Sequence, residues 1–177
     1  MAISLSGLGT APRFEARREI DLVPASLPAQ PYHAAAGLEL AAAEELIRQV
    51  EQQAEDAAAA GLRAVAGGRP AGTAVVGVTV VGVAVVVKAV SLPGSVAGVL
   101  RSHAWMHAAE GVLYRDAVLA AARRNGWPAH AVEEPMLPAA GQVLAALGAA
   151  AGRPWRRYEK DAARAAITLL PRSPSGP

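Results

Sequence analysis

The chain has 177 residues, the size of one ordinary domain whose core needs no covalent staple. It contains no cysteine, which excludes disulfides, thiolate metal ligands and a cysteine nucleophile. The formal net charge of +2 is too small for bulk coating of nucleic acid, and an apolar fraction of 53% with a single Phe means a core of small Ala and Val side chains.

Residues 1–33 are rich in Pro and turn formers and read as an extended arm, partly disordered, with one short extended piece, REIDLV, at 18–23. The start lacks the charged n-region and continuous apolar run of a secretory signal, so a cytoplasmic location is expected. From about Ala34 to Ala66 strong helix formers run without a proline, which predicts a long amphipathic helix. Its apolar seam is Leu40, Ala43, Ile47, Val50, Ala54, Ala57 and Gly61, and acids decorate the rest. Such a helix can lie on a sheet or associate with a second copy of itself.

The next stretch, near 73–90, is built largely of valine interrupted by Gly72, Gly77 and Gly82. Its β-branched side chains favour strand over a membrane-spanning helix, and its length predicts a hairpin or a bent strand. Ser95 reads as the N-cap of a helix running to Asn125, stopped by Gly126 and Pro128. A short strand near 129–133, a helix over 139–151, a last helix over 155–170 and a disordered tail at 171–177 complete the chain. The expected architecture is α/β or α+β: one domain over 34–170, with a small valine-built sheet, a long first helix and three further helices.

The stretch RSHAWMHAAEGVLYRD carries the chemistry. At about 100° per residue, His103, His107 and Glu110 fall on one face of a helix, with Tyr114 one turn further on. Three groups of this kind on an apolar face need partners. A divalent metal held by His103, His107 and Glu110 is one solution, but His103 and Glu110 are about 10.5 Å apart in rise, so His103 and His107 are the better chelating pair, with Glu110, His130, Glu133 or Glu134 as candidate third ligands. A general acid/base site of His103, His107, Glu110 and Tyr114 is a second, and a structural hydrogen-bonded seam is a third. The sequence holds no HExxH, GxSxG, Walker or GxGxxG pattern.

Near the C-terminus, Arg153, Arg156, Arg157, Lys160 and Arg164 interleave with Trp155 and Tyr158. They suit contact with an anion or nucleic acid, or docking on the acidic first helix within the chain or between subunits. These readings point first to a binding or assembly protein that forms a homo-oligomer. A small hydrolase-type enzyme built on the His/His/Glu cluster, with a divalent metal, is the alternative, and a nucleic-acid-binding module using the Arg-rich helix is a third.

Overall fold

The structure, a computed structural model, describes residues 2–8, 11–67 and 80–171. Helices and strands are mixed, as expected for an α/β or α+β chain, with two small sheets. The centre is a pair of long helices, α2 (Leu40–Val65) and α4 (His103–Arg124). Ala43, Ile47, Val50 and Ala54 of α2 close a core with Leu113 and Ala117 of α4, and further along Ala58, Ala59 and Leu62 meet Ala121, Ala122 and Trp127. The two helices therefore run in the same direction. The alanines at their contact let the backbones approach, and the larger side chains each contribute about 1.5–3 kcal/mol on burial.

This packing differs from the expected seam at both ends. Leu40 remains 47% exposed, and the buried stripe moves from Ala57 and Gly61 to Ala58 and Leu62, because α2 packs on a helix rather than a flat sheet. Polar clamps lock the register: the Arg124 guanidinium donates to Asp56 at 2.7 Å, and Asn125 donates from Nδ2 to the Ala59 carbonyl at 3.0 Å.

Parallel strands β3 (Val83–Val87) and β4 (Ala129–Glu133) pair from Val83 with Ala129 to Val87 with Glu133. Parallel pairing requires a long crossover, which α4 supplies, so β3, α4 and β4 form a βαβ unit, while the expected hairpin or bend over 73–90 falls partly on residues outside those described. Every residue of β3 is half-buried, consistent with its run of valines. The remainder of the valine segment, 68–79, and the end of the tail, 172–177, lie outside the described residues.

Two expectations for the N-terminal region are corrected. Residues 2–8 and 11–18 form an antiparallel pair, β1 (Ala2–Leu8) and β2 (Ala11–Arg18), with an irregularity between Ser4 and Leu5, whereas 19–22 is neither strand nor helix. A separate short helix, α1 (Pro31–Ala35), precedes α2. Pro31 occupies its first turn with a preset φ, and the Ala34 N–H bonds to the Gln30 carbonyl at 3.0 Å.

The helix expected from Ser95 to Asn125 is two helices. Ser95 does cap the first, α3 (Val96–Val99), its hydroxyl accepting from the Gly98 N–H at 3.1 Å. The chain then breaks, and Ser102, extended at φ −143° and ψ 126°, begins α4. Helices α5 (Gly141–Ala151) and α6 (Arg157–Ile167) pack against the N-terminal strands. Trp155 fills a notch at Gly148, where an added Cβ would sit 2.6 Å from the indole, while Arg164 donates to the Leu137 and Pro138 carbonyls at 2.9 and 2.8 Å.

Candidate metal centre

His103 and His107, one turn apart at the start of α4, present their imidazoles side by side with ring centres 4.5 Å apart. The third group brought to them is His33 of α1, whose ring centre lies 4.8 Å from that of His103 and 4.3 Å from that of His107. One ligand nitrogen from each of the three falls within 4.8 Å of the others. Three nitrogens about 2.0–2.1 Å from a tetrahedral zinc would be about 3.3 Å apart, so the cluster is somewhat more open than a zinc site and would have to close on an ion.

Glu110 sits behind this cluster rather than in it. Its side chain is nearly buried, and Oε1 accepts from the His33 Nδ1 at 2.8 Å and from the His33 main-chain N–H at 3.3 Å. Oε2 lies 3.8 Å from the Nδ1 of His107. With Nδ1 committed to the carboxylate, the other ring nitrogen of His33 is the free one. Nε2 is buried and has no hydrogen-bond partner among the described residues. A buried nitrogen lone pair left unmatched costs about 1–3 kcal/mol, and a metal ion satisfies it.

His33 was the residue that sequence spacing did not single out. Glu110, a candidate ligand by its spacing, hydrogen-bonds the His33 ring and main chain. Tyr114 lies one turn beyond, and its hydroxyl donates to the Ala29 carbonyl at 2.6 Å. Burial pushes the Tyr114 phenol above its ordinary value, with the Glu110 charge adding to it. Burial likewise raises Tyr32, with Glu51 and then Glu110 contributing. Both phenols therefore keep their protons, and that of Tyr114 is the one donated to Ala29.

The other candidate ligands are elsewhere. His130 is on β4, next to Gly82, and Glu134 pairs with Arg157. The C-terminal cations are similarly divided. Arg164 is occupied by carbonyls and Asp161, and Arg157 by Glu134 and Asp161. Arg153, Arg156 and Lys160 are exposed. The acidic helix α2 is met not by α6 but by Arg124, which reaches Glu55 at 3.2 Å as well as Asp56. Among the described residues no helix is long and apolar enough to cross a membrane.

A scan against protein-family models, a search of curated proteins and a search of solved structures each return no match.

Proposed function

We propose that this chain is a metal-dependent protein in which His33, His103 and His107 hold one divalent ion of the zinc class, with hydrolysis at the ion as its activity. The observation that carries the reading is the buried Nε2 of His33, which has no hydrogen-bond partner among the described residues and whose Nδ1 is held by Glu110. A metal-bound imidazole usually donates its second N–H to a carboxylate, which fixes the tautomer and raises ligand basicity. Three neutral nitrogen donors suit zinc, cobalt, nickel or copper better than the oxygen-seeking magnesium or calcium.

Three protein ligands leave a four-coordinate ion one position for water, the arrangement of catalytic rather than structural zinc sites. His103 and His107 are exposed, which supports access from solvent. An ion held by His33, His103 and His107 would supply Lewis acidity and a water acidified for attack on an ester, while Glu110 keeps the His33 ring in place.

Cobalt substitution tests the reading. The loaded protein should show the intense visible absorption of four-coordinate cobalt, changing with pH as a bound water titrates near about pH 7. A weak six-coordinate spectrum, insensitive to pH and to His33→Ala, would contradict it.

A second reading, a binding or assembly role through self-association, is supported by the apolar side chains Leu38 and Leu40, which stand 46% and 47% exposed beside the acidic face of α2. Sedimentation velocity of the wild type against Leu40→Glu tests it, a concentration-dependent dimer lost in the variant being the expected result.

A further inference from the structure

We infer that the ion at this centre also acts as a latch, fixing α1 and the segment leading into it onto the helical core, so that metal binding controls the order of residues 20–38. The inference rests on the metal reading and adds a regulatory consequence to it.

The segment has little regular structure of its own, and its fully buried anchors are Pro31 and Ala35 of α1. Residues 19–30 contain neither helix nor strand, and α1 spans five residues, well below the length at which a helix is stable alone. Its first turn lacks a side-chain cap bond. Leu22, Val23, Leu27 and Tyr32 pack on the α2–α4 core but stay only partly buried, and Ile20 fits against Gly61, where an added Cβ would be 2.6 Å away. The polar ties to α4 are the Ala29 carbonyl with Tyr114 and the two bonds from His33 to Glu110.

Both of those last bonds end on one carboxylate oxygen, 77 positions further along the chain. Opening the segment breaks them together and frees His33 from His103 and His107. A ligand that binds only the closed state stabilises it by mass action, and an ion joining His33 to α4 is such a ligand. It closes a long loop, where a cross-link acts most strongly on the open ensemble. Further along α2 and α4, the second cluster of Ala58, Ala59, Leu62, Ala121, Ala122 and Trp127 draws all its buried members from outside the segment.

Hydrogen exchange of the full chain, after chelator treatment and again with zinc at 100 times its dissociation constant, reads this directly. The amides of His33, Ala34, Ala36 and Leu38 should exchange about 100-fold more slowly with zinc, while those of α5 stay unchanged. In His33→Ala the zinc effect on the segment should vanish. Zinc bound at one equivalent with no slowing in 33–38, or with equal slowing in α5, would overturn the latch and leave the metal centre standing. No zinc binding at all would remove both.

Discussion

Glu110 and His33 are joined twice: one carboxylate oxygen accepts from the His33 ring at 2.8 Å and from its main chain at 3.3 Å. The pair fixes which ring nitrogen of His33 is free to bind a metal, and it does so from a buried position on α4. Glu110→Gln keeps the shape but loses the charge that strengthens the imidazole as a donor. Zinc affinity should fall about 10–100-fold, the usual cost of removing such a support, as measured by competition with a chromophoric chelator. An unchanged affinity would mean that Glu110 does not act through His33.

His107 separates function from stability, because its side chain is 52% exposed. His107→Ala should change unfolding free energy by no more than about 0.5 kcal/mol, as for other surface positions. Metal affinity should drop far more than that. Denaturation with chelator present, beside a zinc titration of the same variant, measures both. A structural seam would show the opposite pattern, with stability lost.

A pH effect is expected from Glu51, whose carboxyl is raised above the usual glutamate value by burial and by the nearby Asp116 charge. A raised carboxyl favours folding while protonated, and that contribution is lost as pH rises through the folded value. Glu51→Gln should therefore stabilise at pH 7, and the gain should shrink towards pH 4, near the unfolded value of about 4.3. Glu51 stands exposed on α2, so solvent screening keeps the gain below about 1 kcal/mol. Denaturant midpoints at the two pH values supply the comparison.

The core makes a larger prediction. Ile47 is 3% exposed in the cluster shared by α2 and α4, and Ile47→Ala should cost about 2–5 kcal/mol. Gly61→Ala should cost less and act locally, by displacing Ile20 from its place against α2. Thermal melts of both variants, with proteolysis at the N-terminal segment for the second, distinguish a global from a local loss.

The long first helix, the short strand at 129–133 and the last two helices were legible because each is a local matter of propensity, period and punctuation. Pairing was not. Valines in β3 announce a strand but do not say that its neighbour is β4, across α4, because that choice depends on the βαβ crossover. The break at Ser102 was hidden by Ser95, which lies about two helical turns earlier and caps α3 with its side chain, whereas Ser102 makes no side-chain cap bond. The N-terminal strands were masked by Pro12 and Gly7, which read as turn formers.

At the site, helical spacing brought out His103, His107 and Glu110 correctly as neighbours. It could not supply His33, because that contact is made in tertiary structure by a five-residue helix that Pro31 begins. The one clue in the sequence was an inventory: four histidines, two of them paired, leaving only His33 and His130 as further imidazoles. The sequence reading reached for His130, which the fold places on β4 instead.

The most direct test of the three-histidine centre is X-ray absorption of the zinc-loaded full chain, which counts imidazole ligands around the ion. The account predicts one equivalent of zinc with three histidine nitrogens at about 2.0–2.1 Å, reduced to two in His33→Ala. A first shell of two imidazoles in the wild type, or one that His33→Ala leaves unchanged, would contradict it.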